Sequence, residues 1–359
     1  MRADAAAVHH GFSDFRLISS EFHPGPPSLG GKRVHSQAQQ IKTMNKNDDL
    51  KFFIAVLFAV AALLSEKASG QTNGLTASVA GDFIGPNAFP TNIDSGWETM
   101  LNSSYTAPSA AKFQGTRLGN SDAFDVNIGV GKKFTLNDKW FLQLDFGSDN
   151  LFLDTVAGAP IPDAVHTMRF GAGIGYHLND KWTVTGMVNP TLYSFDDIQC
   201  SDVGISGGLL AFYRANSKLT WSFGIMVAPD SDLPVLPMAG VNWMINNQFT
   251  LQMMFPKPRL LYQINRQLTL YAGLDMVGTT FRTSDNFGTK IGMTEYNDAL
   301  ATYRDVRLGL GVGYHIISEL NAELEAGASV YRQIDYTKLD QQVKFNPSAY
   351  VRFALNYRF

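Results

Sequence analysis

Cysteine is almost missing from this chain, and so are long apolar runs. The 359 residues hold one cysteine, Cys200. That excludes a disulfide framework within the chain and any cysteine-rich metal centre. Neither charge sign is in excess: 29 Lys and Arg against 32 Asp and Glu give a net charge of −3. A nucleic-acid partner therefore has no electrostatic footprint and none is expected. The one helix-length apolar run, Phe52 to Leu64, has 13 residues, too short to cross a hydrocarbon core of about 30 Å as a helix. Past residue 95 no segment shows a convincing helical period.

The short apolar run has an order of its own. Lys46 and Lys51 precede it and the small residues Ala68-Ser69-Gly70 follow. Basic, then apolar, then small is the pattern of a secretory signal peptide. The reading is a signal over 44–70, opened by Met44 and cleaved near Gly70. Residues 1–43, with Pro24-Gly25-Pro26-Pro27 and no periodic pattern, read as a disordered leader or an extension from a misplaced start codon. Residues 71–94 are then a short periplasmic segment.

Strict alternation fills the rest. Val351, Phe353, Leu355, Tyr357 and Phe359 interleave with Arg352, Asn356 and Arg358. Leu308, Leu310, Val312 and Tyr314 interleave with Arg307, Gly309, Gly311 and Gly313. Successive side chains of a strand point to opposite faces, so each segment has one greasy and one polar face. Strands are expected at 95–106, 122–135, 139–152, 165–178, 181–194, 202–214, 218–228, 235–245, 248–255, 259–264, 267–282, 302–316, 319–334 and 346–359. Most exceed the 9–11 residues that a tilted strand needs to cross a bilayer.

The links between them alternate in length. Tight turns are expected at 137–139, 179–181, 216–218, 246–248, 265–267 and 317–319, and five of the six begin with Asn. Longer links are expected at 107–121, 153–164, 195–201, 229–234, 283–301 and 335–345. Parity sets the turn length. Leu136 and Trp140, Leu178 and Trp182, Ile245 and Phe249, Ile264 and Leu268, and Ile316 and Leu320 all belong to the apolar set, four apart. Residues paired across a hairpin share a face, so each turn holds three residues.

The opposite face carries Asp145, Arg169, Asp275, Arg307, Glu323, Glu325, Arg352 and Arg358. A soluble barrel would bury those charges in a dry core at several kcal/mol each. With the greasy face in lipid and the charges in a wet lumen, that cost disappears. The fold class is therefore all-β: a closed, antiparallel, up-and-down transmembrane barrel of about 14 strands. Twelve is the variant if the short strands around Pro256 do not cross. Closure is required because lipid leaves no partner for an open sheet edge. Trp140, Trp182, Phe249 and Tyr314 lie beside the tight turns, as an interfacial belt would. Short turns on one rim and long loops on the other match the outer membrane of a Gram-negative cell. A secreted soluble β-sandwich is the competing fold.

The site candidates follow from the lumen face. Glu323 and Glu325 precede Arg352 and Arg358 on the next strand, and Arg307 faces the same way. Together they predict a lumenal Arg–Glu cluster that either selects solutes or stiffens the barrel. Gly311 and Gly313 are expected opposite Glu325 and Glu323, and Gly131 opposite Asp145. The Gly-x-Gly spacing is no nucleotide loop, because no helix follows it. Pro256-Lys257-Pro258-Arg259 joins two short strands and marks a lowered wall, either a lateral opening or a plain tight turn. His177 and His315 face the lumen near the turn rim on strands far apart, which does not make a metal pair; no metal or cofactor is expected. His166 has no nucleophile beside it, so no catalytic residue and no enzyme is expected.

The run from Val241-Asn242-Trp243 through Phe255-Pro256-Lys257-Pro258-Arg259-Leu260 to Leu270-Tyr271-Ala272-Gly273 resembles the core of an uncharacterised family of outer-membrane barrels, described only as a domain of unknown function. The resemblance spans about residues 80–359. It implies the barrel and its location, and no substrate. A terminal Phe359 on an alternating last strand resembles the assembly signal of such barrels, which implies the barrel-assembly machinery and outer-membrane lipid as partners. Fourteen-strand barrels include porins and transporters of hydrophobic compounds; the latter carry an N-terminal plug, for which residues 71–94 are too few.

The functional expectation is a passive channel or transporter for small solutes. The alternatives are a non-transporting surface-binding or structural barrel acting through loops 107–121, 283–301 and 335–345, and an outer-membrane enzyme.

Overall fold

A computed structural model describes residues 96–193, 202–230 and 234–359 of the chain. The expected leader 1–43, signal 44–70 with its cleavage near Gly70, and segment 71–94 lie outside those residues, as do the whole 195–201 link and part of the 229–234 link.

The strands are β1 (Trp97–Phe113), β2 (Thr116–Thr135), β3 (Trp140–Leu153), β4 (Ala164–His177), β5 (Trp182–Leu192), β6 (Val203–Asn216), β7 (Leu219–Val227), β8 (Val235–Met244), β9 (Phe249–Met254), β10 (Arg259–Gln263), β11 (Leu268–Arg282), β12 (Leu300–His315), β13 (Leu320–Tyr336), β14 (Gln341–Phe345) and β15 (Ser348–Arg358). Every described strand pairs antiparallel with its sequence neighbours from β1 through β13, and β15 closes the ring against β1 and β13. β14 lies above β15 in the same slot, pairing with β1 at Ala111–Phe113 and with β13 at Arg332–Tyr336. The two are one stave, interrupted at Asn346-Pro347 because Pro347 has no N–H to give the ladder. The barrel thus has fourteen staves, and the twelve-strand variant is ruled out because β9 and β10 are both in the wall.

The tight turns form as parity requires. The N–H of Leu136, Leu178, Ile245, Ile264 and Ile316 each reaches the carbonyl four residues on, at 2.9 to 3.0 Å. Asn137, Asn179, Asn246 and Asn265 each turn their side-chain Oδ1 inward to accept two N–H groups of the turn, at 2.8 to 2.9 Å. That is why asparagine recurs there. The turn at 216–218 is tighter than expected. Asn216 pairs directly with Leu219, and a register shift after Arg214 absorbs the difference.

Two expected loops are strand instead. Over 107–121, β1 and β2 run on and meet at the two-residue turn Gln114-Gly115, with φ of 49° and 79°, the left-handed pair that suits a hairpin. Ala107 and Pro108 fall in a register shift between Thr106 and Ser109, where a proline without a donor is tolerated. Small residues on both faces of this stretch hid the alternation. The 335–345 segment contains β14, so only a short turn at Thr337–Leu339 remains there. The 283–301 link carries a single helical turn, Phe287–Ile291, and a 3-10 turn, Thr294–Tyr296.

The greasy face points outward. Trp140, Phe170, Leu209, Trp221, Phe353 and Leu310, the last 70% exposed, lie on it. At 25 cal/mol per Å², removing such side chains from water into acyl chains is the main term holding the barrel in a bilayer. The charged face points inward, yet it is not wet: Arg307 is 1% exposed, and Asp275, Asp305, Glu325 and Arg352 are buried with it. Pairing, not water, satisfies these charges.

The ring is also not round. Fourteen staves about 4.8 Å apart would close a ring roughly 21 Å across before tilt widens it. β4 and β11 are seven staves apart in either direction, but the Thr167 and Thr279 hydroxyls approach to 3.4 Å. Near the loop rim Arg282 of β11 reaches further, its N–H bonding the Tyr193 carbonyl at 3.2 Å and its Nε facing Asp202 at 3.3 Å. The barrel is pinched there into two lobes, one walled by β11–β15 and β1–β4, the other by β5–β10.

Candidate functional site

The larger lobe is layered. Near the loop rim the links 153–164 and 283–301 fold inward and pack Ala159, Ile161, Phe281, Tyr296, Tyr303, Tyr336 and Phe345 into an apolar plug. Tyr336 donates to the Pro160 carbonyl at 2.9 Å and Thr283 to the Tyr296 carbonyl at 2.7 Å. Burial, and then Glu295, push the Tyr296 hydroxyl above its ordinary pKa. Fixed bonds of this kind make the plug part of the fold.

Beneath it Arg307 is the centre of the first ionic layer. Its Nε lies 2.7 Å from Asp305 and its Nη2 3.0 Å from Asp125, while Nη1 donates to Ser104 at 2.7 Å. Ser104 also bonds Asp125, and Ser329 donates to Asp305 at 2.5 Å. A guanidinium has five N–H donors in a fixed fork, which suits it to bind three strands at once. Arg332, higher in the same lobe, donates to Ser109 and to the Ser121 carbonyl.

The second layer holds Glu323, Glu325 and Arg352 as the sequence places them, with Glu325 directly opposite Arg352. Arg352 contacts both carboxylates, at 3.2 and 3.3 Å, and Asn102 at 2.8 Å. Arg259, expected only as part of a wall notch, completes the set at 3.3 Å from each glutamate. It also stacks over the Tyr271 ring at 4.4 Å. Two arginines thus face two glutamates, so the layer is neutral. Tyr350 links the layers, donating to Glu325 at 2.5 Å while its ring lies 5.2 Å from the Arg307 guanidinium. Lys257 leans in from the notch to Asp275 at 3.1 Å.

One expected member of the cluster lies elsewhere, and the other expected lumen residues Arg169 and Asp145 stand apart from it. Arg358 is half exposed at the turn rim and pairs with Glu98 at 3.6 Å, one end of the strand away from Glu325. Arg169 pairs with Asp149 at 3.4 Å on the β3–β4 wall, and Asp145 sits on the same wall over Gly171. His177 bonds Thr183 at 2.8 Å. His166 bonds Asn150 at 2.8 Å near the loop rim. Among the described residues no group of three or more His, Cys, Asp or Glu could hold a metal ion. Phe359 exchanges backbone bonds with Trp97 at 2.7 and 2.9 Å, so the last residue sits in the closing seam.

The lumen glycines make room for these side chains. The Tyr271 ring lies over Gly311, the Phe141 ring over Gly175 and the Asp145 carboxylate over Gly171. Gly131, Gly311 and Gly313 pair with Asp145, Glu325 and Glu323 as expected.

Below the second layer a cavity of about 260 Å³ opens toward the turn rim, with Arg259, Tyr271, His315, Glu323 and Arg358 in its lining. The ionic layer is the inner wall of this vestibule.

The smaller lobe carries an apolar patch on its inner face. Leu210, Phe212, Met226, Met238 and Met254 form a buried cluster there, with Met187, Leu236 and Phe255 against it. The signal was legible: Leu209-Leu210-Ala211-Phe212-Tyr213 has no polar face at all.

Residues 154–359, more than half of the chain, match the sequence profile of a family described as a domain of unknown function, DUF6268. No curated protein matches the sequence. Solved structures with a similar course include the COG4313 outer membrane channel from Pseudomonas putida F1, at 9% identity and a TM-score of 0.44 over 77% of this chain and 100% of that one. A Pseudomonas aeruginosa FadL homologue matches at 11% identity and a TM-score of 0.41, over 78% of this chain and 96% of that one.

Proposed function

Since the chain belongs to the DUF6268 family, whose description assigns no activity, we propose from its own geometry that it is an outer-membrane barrel giving small solutes a passive, narrow route across the membrane. The observation that carries this reading is the vestibule of about 260 Å³ that ends on Arg259 and Glu323, behind which these pair with Glu325 and Arg352 in turn. A solute entering from the periplasmic rim meets a charge-balanced constriction. A purely structural barrel has no need for an open chamber over buried charges. The pairing and the plug above it limit the route: dissolved ions pass only when both ionic layers and the plug part, so conductance is small.

Location in the outer membrane rests on the outward belt of Trp97, Trp140, Trp182 and Trp221 and on closure without a free edge. Phe359 in the seam supports delivery by the barrel-assembly machinery. Surface binding through loops loses two of its three supports, since 107–121 is strand and a two-residue turn and 335–345 is strand but for the short turn at Thr337–Leu339.

Planar-bilayer recording of the refolded barrel tests the reading. The expected result is small conductance steps that turn more cation-selective in Arg352→Ala, because two glutamates then outweigh Arg259. A folded barrel that conducts in neither form overturns it.

A further inference from the structure

A row of cations lies on the outer face of the barrel near the loop rim. Ala111 and Phe113 of β1 and Val343 and Phe345 of β14 pack into the plug, so Lys112 and Lys344 between them point outward. Lys112 pairs across the ladder with Lys344 on one side and with Arg117 of β2 on the other. Direct partners stand about 5 Å apart at Cβ, so the three side chains leave the wall within about 10 Å of one another. All three are exposed. Gln333 of β13 continues the row beside Lys344, and Arg304 of β12 follows beside Gln333.

Like charges placed directly opposite one another oppose folding. Arg304 is relieved by Asp335 at 3.3 Å. Arg117 has the Asn120 amide oxygen, a neutral acceptor, at 3.2 Å. Among the described residues no carboxylate forms an ion pair with Arg117, Lys112 or Lys344. Acids are not scarce at this rim. The links 153–164 and 283–301 carry Asp154, Asp163, Asp285 and Glu295, all exposed, and none is turned to the row. Three aligned cations left open beside so many available acids fit an anion that comes from outside the chain.

The wall below the row says what kind of anion. Tyr105, Phe124 and Phe152 are direct cross-strand partners, each 40 to 41% exposed. They form an aromatic girdle of the kind that marks a membrane interface. Lys112 stands seven residues beyond Tyr105, which at about 3.3 Å per residue and a tilt of about 40° is roughly 17 Å higher. That level lies above the acyl chains, among the head groups. A molecule that meets both surfaces has acyl chains against the girdle and the strands beneath it, and negative groups on sugars above. Phosphate accepts charge-assisted bonds from ammonium and guanidinium donors together.

We propose that Arg117, Lys112 and Lys344 dock a phosphorylated glycolipid of the outer leaflet against the β14–β1–β2 wall. The phosphate oxygens accept from the row and cancel its like-charge repulsion, so the lipid stabilises the barrel beside the seam where β14 and β15 meet β1. The inference rests on the outer-membrane reading above and not on transport.

The full barrel is refolded into phosphatidylcholine vesicles with and without rough-form lipopolysaccharide, a glycolipid with phosphorylated core sugars, and its urea midpoint is measured. The wild type is expected to unfold at a higher midpoint with the glycolipid. In Lys112→Gln, Lys344→Gln the shift is expected to fall at least threefold, while the midpoint without glycolipid holds or rises because repulsion is relieved. Lys139→Gln, Lys181→Gln removes the same charge at the turn rim and is expected to keep the full shift. Dephosphorylated glycolipid, and inorganic phosphate at equal phosphate concentration, are expected to give no shift. The proposal is overturned by a shift as large in the row variant as in the wild type, or by one as large with either phosphate control as with the intact glycolipid. Membrane fractionation scores the location by itself. A barrel found in the outer membrane with no such shift loses the docking alone, whereas a barrel found in the inner membrane loses both.

Discussion

Thr167 and Thr279 stand on opposite staves of a fourteen-stave barrel, and their hydroxyls are 3.4 Å apart. That single contact converts a round lumen into two lobes with different chemistry. One holds paired charges and an apolar plug, the other a cluster of buried methionines.

The contact is directly testable by cross-linking. With Cys200 replaced by serine, the double variant Thr167→Cys, Thr279→Cys is expected to form a disulfide across the barrel on mild oxidation, seen as loss of two thiols by mass spectrometry. A round barrel would hold the two positions roughly 21 Å apart, beyond the reach of any disulfide. Two free thiols after oxidation would sink the pinch.

Arg307 provides the energetic test of the ionic lobe. Arg307→Met leaves Asp305 and Asp125 buried without their partner. Breaking a buried pair in this way costs about 3–5 kcal/mol, while removing all the charges together is close to neutral. The single variant is expected to lower the urea midpoint of unfolding from lipid vesicles. The triple variant Arg307→Met, Asp305→Asn, Asp125→Asn is expected to recover most of the loss. Equal midpoints for the wild type and the single variant would mean that the network carries no stability.

The topology was legible in the sequence because lipid and lumen demand opposite side chains at alternate positions. Parity across Leu136–Trp140 and its equivalents gave the turn length, and asparagine marked the turns. Parity gives a face, however, and not a height or a neighbour three staves away. Arg358 shares the face of Arg352 but sits at the wet rim. Arg259 looked like part of a notch, yet its side chain reaches from β10 to two glutamates on β13. Asp125 and Asp305 were overlooked for the same reason. The stretch 107–121 was misjudged because alanine, serine and proline give no contrast between faces. The pinch left no local trace, since it arises from a contact between residues 112 positions apart.

Asparagine at the turns carries its own prediction. Asn179 accepts N–H bonds from Lys181 and Trp182, both at 2.9 Å. Asn179→Ala removes both and is expected to cost about 1 kcal/mol in stability. Asn137→Ala and Asn246→Ala are expected to match it, and the distant sites to add. Chemical unfolding of the singles and the triple checks this. A triple variant as stable as the wild type would make the recurring asparagine an accident of composition.

Gly311 and Gly313 share one strand and one face, and differ only in what lies above them. A Cβ at Gly311 would fall 2.2 Å from the Tyr271 ring, whereas at Gly313 the nearest atom is the Thr269 carbonyl oxygen at 3.9 Å. Backbone preference for alanine over glycine in a strand is the same at both. Steric overlap is not. To admit the methyl at 311, Tyr271 must swing away from Glu323, 3.4 Å from its hydroxyl, and from the Arg259 guanidinium stacked on its ring. Overpacking of this kind costs about 1–3 kcal/mol. Gly311→Ala is therefore expected to destabilise the barrel and to loosen the second ionic layer, raising conductance in bilayer recordings. Gly313→Ala is expected to be neutral or slightly stabilising, because it restricts the unfolded chain and meets nothing. If the two variants unfold at the same denaturant concentration, the glycines serve the backbone alone, and the fit of Tyr271 over Gly311 has no energetic weight.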